Sequence, residues 1–141
     1  MRQALLYIFL LQSIFGFAQR YNFTHLNDIG DFNNAYVYTI TQADGYLWLG
    51  TSSGIYCYDG FEFNHFSDID SLAGDFVTAS TNVGDEVWFG HRSGALSILS
   101  NGKFRTIQLT SELPGSISQL VTVAKNEVWV ATYSGGVFRV K

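Results

Sequence analysis

The sequence predicts an all-β protein built from repeated units of four antiparallel strands, and three observations predict it. The first is an internal repeat. Displacing the 141-residue chain by 40 positions aligns residues 21–54 with 61–94 and gives ten identities in 34 ungapped positions, among them Trp48/Trp88, Gly50/Gly90 and Gly54/Gly94. A displacement of 41 carries Thr81, Glu86, Val87, Trp88, Ser93 and Gly94 onto Thr122, Glu127, Val128, Trp129, Ser134 and Gly135, so a third unit exists with one extra residue. The second is local patterning: short runs such as Val37-Tyr38-Thr39-Ile40 and Tyr46-Leu47-Trp48-Leu49 are rich in β-branched and aromatic residues and are separated by glycine-bearing turns, as strands are. The third is the set of pairs Asp44-Gly45, Asp59-Gly60 and Asn101-Gly102, which signal two-residue hairpins because such turns need φ > 0. This period fits propeller blades or helical solenoid repeats. No window would form a useful amphipathic helix, so the reading is a β-propeller with four-stranded blades.

Taken in order, Met1 and Arg2 lead into an apolar run over 4–11 that continues to Phe15 and ends at Gly16-Phe17-Ala18, with small residues at the −3 and −1 positions of a cleavage site. That layout predicts a secretory signal peptide over 1–18. The run is shorter than the roughly 20 residues that cross a bilayer, and Gln12-Ser13 interrupt it, which argues against an uncleaved anchor. No later segment is long and apolar enough to span a membrane, so residues 19–141 are expected to be soluble and periplasmic or secreted. Residues 21–26 align with 61–66, the fourth strand of a unit, and are expected to close a ring as the outer strand of its last blade. Unit one, about 27–66, reads as strands 37–42, 46–50, 54–58 and 61–66. Unit two, 67–109, reads as 76–81, 86–90, 94–99 and 103–109, and unit three, 110–141, as 119–124, 127–131 and 135–140. Three blades leave the ring incomplete, since propellers hold about four to eight. The remaining blades are expected from a longer chain or, in the other reading, from a second copy.

Composition and spacing exclude several chemistries. Eight Lys and Arg against twelve Asp and Glu give a net charge of −4 with no basic run, so nothing marks a nucleic-acid surface. Cys57 is the sole cysteine, which rules out an internal disulfide and leaves too few thiolates for a zinc or iron–sulfur site. It is expected to be buried and inert. His25, His65 and His91 are dispersed, so neither a metal site nor a cofactor is expected. No phosphate loop, nucleophile motif or His-Glu-x-x-His run occurs, and no catalytic residue is nominated.

Trp48, Trp88 and Trp129 recur once per unit, as residues filling the wedge between neighbouring blades would. Gly54, Gly94 and Gly135 are expected where a tight turn with φ > 0 or close backbone approach excludes a side chain. In antiparallel blades the fourth-to-first and second-to-third connections emerge on one face and the hairpin turns on the other. The first face collects Asn33, Asn34, Asp68, Asp70, Asp75, His91, Arg92 and Tyr133. Asn33, Asn34, Asp75, His91, Arg92 and Tyr133 are the nominated ligand-binding residues, a mix suited to a polar, hydroxyl-rich molecule.

Residues 37–63 run from Val37-Tyr38-Thr39-Ile40 through Leu47-Trp48-Leu49-Gly50-Thr51 and Gly54-Ile55 to Asp59-Gly60-Phe61-Glu62-Phe63. This stretch resembles a two-component regulator propeller repeat, in which an aliphatic strand and glycine turn precede Leu-Trp-aliphatic-Gly-Thr, a Gly-aliphatic strand, Asp-Gly and an aromatic strand. The resemblance is full in unit one, good in unit two and partial in unit three. His91 in place of Thr, Ala131 in place of Gly, and Cys57 where a polar residue is frequent depart from it. It implies the periplasmic sensor region of a bacterial hybrid two-component regulator, whose further blades, transmembrane helix, kinase and receiver would lie beyond this chain. The functional expectation is an exported sensor or ligand-recognition module for an oligosaccharide or other polar ligand. A propeller polysaccharide lyase or hydrolase, and a non-catalytic scaffold of a secretion system, are the other classes left open.

Overall fold

The structure, a computed structural model, describes residues 21–23, 35–67, 71–109 and 115–141. Among them are eleven strands in three antiparallel sheets and no helix. Blade one is β1 (Val37–Ala43), β2 (Tyr46–Thr51), β3 (Gly54–Tyr58) and β4 (Phe63–Phe66), in that spatial order. Blade two is β5 (Val77–Val83), β6 (Glu86–His91), β7 (Ala95–Ser100) and β8 (Lys103–Gln108), again in order. Blade three is β9 (Ile117–Ala124), β10 (Glu127–Thr132) and β11 (Val137–Val140). The expected signal peptide lies outside the described residues, as do residues 24–26 of the expected closing strand. The described part of that strand, 21–23, is not in a sheet, and Tyr21 and Phe23 are exposed. An extended segment becomes a strand only where a neighbour takes its N–H and C=O groups, and no described edge pairs with 21–23.

Turn chemistry explains two of the hairpins directly. Asp44 (φ 52) and Gly45 (φ 83) join β1 to β2, and Asn101 (φ 50) and Gly102 (φ 72) join β7 to β8. Positive φ at both central positions is what a type I′ turn needs. Asp59-Gly60 does not form the two-residue hairpin expected of it. The Asp59 carboxylate accepts from the amides of Phe61 (2.7 Å) and Glu62 (2.8 Å), an Asx-type arrangement that holds 59–62 as a loop and delays β4 to Phe63. The Glu62 and Phe61 amides also hold the Asp59 carboxyl below its ordinary pKa.

The second-to-third strand turns differ in length, which the ungapped repeat hides. β2 ends at Thr51 and β3 starts at Gly54, whereas β6 ends at His91 with β7 starting at Ala95, and β10 ends at Thr132 with β11 starting at Val137. Thr51 Oγ1 donates to the Gly54 carbonyl (2.9 Å) and accepts from the Ser53 amide (3.1 Å). Thr132 Oγ1 likewise donates to the Gly136 carbonyl (3.0 Å) and accepts from the Gly135 amide (2.9 Å). Gly136 (φ 80), not Gly135, therefore stands where Gly54 (φ 114) stands. The expectation at Gly135 is corrected because the inserted residue shifts the glycine with positive φ by one.

The first strands of neighbouring blades lie side by side, linked by Thr39 to Ser80 (2.7 Å), Ser80 to Thr41 (3.0 Å) and Thr81 to Thr122 (3.0 Å). Apolar clusters fill the wedges behind them. Trp48, Ile55 and Cys57 of blade one meet Val77, Val87 and Phe89 of blade two. Trp88, Leu96 and Ile98 of blade two meet Ile117, Leu120, Val128 and Val130 of blade three. Each of these Trp residues packs on the following blade, at 9% and 7% exposure, but Trp129 is 43% exposed. The expectation of a buried Trp129 is corrected for a geometric reason. Val128 and Val130 take the blade-two side of β10, strand alternation turns Trp129 to the other side, and no described blade covers that side.

Candidate ligand-binding face

One backbone hydrogen bond per blade ties the second-to-third turn to the segment entering the first strand. Ser52 donates to the Tyr36 carbonyl (3.0 Å), Arg92 to Phe76 (2.9 Å) and Tyr133 to Ser116 (2.9 Å), while Gly54 donates to Asp75 of the next blade (2.6 Å). These connections therefore share a face, and Asp75, Arg92 and Tyr133 are exposed on it. The Arg92 guanidinium carbon sits 5.1 Å from the centroid of the Phe76 ring, a cation–π contact. Phe76 in turn lies 5.0 Å from Tyr38 of blade one, centroid to centroid. Tyr36, Tyr38 and Tyr133 are exposed. The structure thus gathers Asp75 and Arg92 around Phe76 and sets Tyr133 on the adjacent blade. Asn33, Asn34, Asp68 and Asp70 lie outside the described residues.

Tyr36, Tyr38 and Phe76 escaped the sequence reading because aromatics at a strand entry look like ordinary strand residues. One signal was available: Tyr36 and Phe76 are 40 residues apart, so an aromatic recurs at one position of two units.

His91 is placed differently from its nomination. It is 1% exposed and its Nε2 lies 2.8 Å from Ser97 Oγ, which also accepts the Ala73 amide (2.8 Å). Its Nδ1 is the one buried side-chain polar atom among the described residues without a hydrogen bond. Burial pushes the imidazole down to about 4, against the Gly74 carbonyl and the Asp75 charge, so the ring is neutral near pH 7. A ring held this way cannot meet a ligand. It braces the 71–76 loop from beneath through Ser97, at the position where Thr51 and Thr132 close the other turns.

Of the remaining reactive groups Cys57 is internal, whereas His65 is exposed with its ring engaged. Cys57 is buried, and burial, followed by the Asp59 charge, raises its thiol to about 11, leaving it protonated and unreactive. His65 Nε2 lies 2.6 Å from the Ser53 carbonyl and its ring stacks on Tyr56 at 4.4 Å. Among the described residues no three His, Cys, Asp or Glu side chains are grouped to hold a metal ion.

On the opposite, hairpin face the indole N–H of Trp88 donates to Glu86 (2.9 Å) and that of Trp129 to Glu127 (3.0 Å). Arg105 pairs with Glu86 at 3.1 Å. Burial raises the Glu86 carboxyl, but the bonds from Trp88 and Arg105 outweigh it and keep its pKa below the ordinary value.

A loop face and a hairpin face on repeated four-stranded blades define the class, a segment of β-propeller. The family model described as two component regulator propeller matches residues 31–53, and the chain carries a repeat of that kind. No curated protein matches its sequence. Among solved structures it is similar to the extracellular domain of a one component system from B. thetaiotaomicron, with 26% identity and a TM-score of 0.59, covering 85% of this chain and 16% of that one. It is also similar to the extracellular domain of a hybrid two component system from the same organism, at 20% identity and a TM-score of 0.58, covering 70% and 14%. The computationally designed Ika4 protein shares the fold at 15% identity and a TM-score of 0.55, covering 73% and 64%. The chain spans less than two thirds of each of these. Among the described residues no helix is long and apolar enough to cross a membrane.

Proposed function

We propose that this chain forms part of the extracellular ligand-recognition region of a bacterial two-component-type sensor, exported by residues 1–18, whose loop face takes an oligosaccharide or another hydroxyl-rich ligand. The observation that carries this reading is the Tyr38–Phe76–Arg92 cluster across two blades, flanked by exposed Tyr36 and Asp75. Flat aromatic faces suit the C–H side of a sugar ring, and a guanidinium and a carboxylate suit its hydroxyls. Rigid blades hold these groups at fixed spacing, so ligand binding can bias a downstream signalling domain. Ile40 and Leu47 of blade one and Val121 and Trp129 of blade three are exposed, and further blades, of a longer chain or a second copy, would cover them.

The test is calorimetric titration of the exported chain with a panel of neutral and acidic oligosaccharides. One class should bind, and Tyr38→Ala and Arg92→Ala should each weaken it by about tenfold, equivalent to about 1.4 kcal/mol. A panel that fails throughout, or two variants that bind like the parent, would refute the reading. Amino-terminal sequencing of the exported protein should begin at Gln19.

A further inference from the structure

Repetition gives each pair of neighbouring blades a groove on the hairpin face, and the two grooves differ in charge. The groove between blades two and three, about 570 Å³, is lined by Arg105, Lys125 and Lys141 as well as by acidic residues. The groove between blades one and two, about 500 Å³, is lined by Asp44 and Asp85 and by no Lys, Arg or His. Asp44 stands on the β1–β2 turn and Asp85 on the β5–β6 turn, and neither makes an ion pair among the described residues.

The wall beneath these carboxylates is aromatic. Tyr46 lies 6.4 Å from Trp48 and Trp48 lies 6.0 Å from Phe66, centroid to centroid, and Tyr46 is 43% exposed. The contrast originates two residues before each Trp. Glu86 and Glu127 there accept the indole N–H, and Glu86 also binds Arg105. Tyr46 in blade one brings a ring in place of that carboxylate, so the only anions at this groove are the two at its rim.

We propose that the groove between blades one and two is a binding site for an organic ammonium ion. A positive charge carried on alkyl groups matches both parts of the groove: the rim carboxylates attract the charge, and the ring faces hold the charged alkyl end by cation–π and apolar contact. The volume lies within the range of roughly 300–1,000 Å³ typical of small-molecule pockets. An anion would meet two carboxylates there in a lining that holds no Lys, Arg or His.

The test uses choline and dimethylbutanol, its neutral carbon isostere, on the ¹⁵N-labelled chain at fixed ionic strength, read by the indole N–H signal of Trp48 and the amide of Gly102. Choline should shift both signals and bind at least about tenfold more tightly than dimethylbutanol. In Asp44→Asn/Asp85→Asn, choline affinity should fall toward that of the isostere, leaving only the cation–π share of the preference, and Asn at position 44 keeps the turn because it tolerates φ > 0. The isostere comparison uses the unaltered chain and stands whatever the variant does. Equal affinities for the two probes, undiminished choline binding by the folded double variant, or shifts at Trp88 in place of Trp48 would each overturn the proposal.

Discussion

His91 occupies the place that Thr51 and Thr132 fill in the flanking blades, and the exchange makes stability depend on pH. The folded ring titrates near 4 and the free imidazole near 6.5. Between those values the unfolded chain takes up a proton that the folded chain refuses, so stability is complete above the window and falls as pH drops through it. The loss approaches about 3 kcal/mol at the bottom of the window and is about 2 kcal/mol at pH 5 relative to pH 7. Urea unfolding at those two pH values should show that difference in the parent and lose it in His91→Thr. An equal pH dependence in both chains would mean that another group titrates. The sequence marks position 91 as a departure from the repeat. It does not say whether the imidazole meets solvent or a core, because that depends on the 71–76 loop folding over Ser97.

At the scale of the strand, Gly50 and Gly90 show how one blade constrains the next. A Cβ on Gly90 would lie 2.5 Å from Ile117 Cγ2, and one on Gly50 would lie 2.5 Å from Val77 Cγ1, so both glycines are set by close approach of the following blade. Gly90→Ala should destabilise the chain by about 1–3 kcal/mol through overpacking. Combined with Ile117→Ala it should cost less than the sum of the two single changes. Additive losses by urea unfolding would exclude the contact. The strands and the Asp44-Gly45 and Asn101-Gly102 turns were legible because their signals are local: alternation, β-branched residues and positive φ. The Asp59 loop and the longer turns after β6 and β10 were not, because a side-chain hydrogen bond and a one-residue insertion leave the repeat pattern almost unchanged.

Across the whole molecule, the three Trp residues report which wedges are filled. Trp88 seals the wedge between blades two and three, and Trp88→Ala should cost about 3–5 kcal/mol. Trp129, at the same repeat position, lies half exposed, and Trp129→Ala should cost about 1 kcal/mol or less in the same chain. Similar losses for the two variants would mean that blade three has a partner on its far side in solution. The Trp spacing made the repeat legible, but burial belongs to neighbouring blades, and neighbours are not written in the strand that carries the Trp.

The sequence by itself determined the class of fold, the order of strands and the division into a loop face and a hairpin face, because strand alternation, turn residues and repeat period are properties of short segments. Only the tertiary structure decided that His91 is a brace and not a ligand group, that Tyr38, Phe76 and Arg92 form one cluster, and that two equivalent grooves carry different charge. Each of those outcomes depends on segments that only the fold brings together: His91 meets Ser97 under the 71–76 loop, Tyr38 of blade one meets Phe76 at the entry to blade two, and the grooves lie where one blade packs on the next.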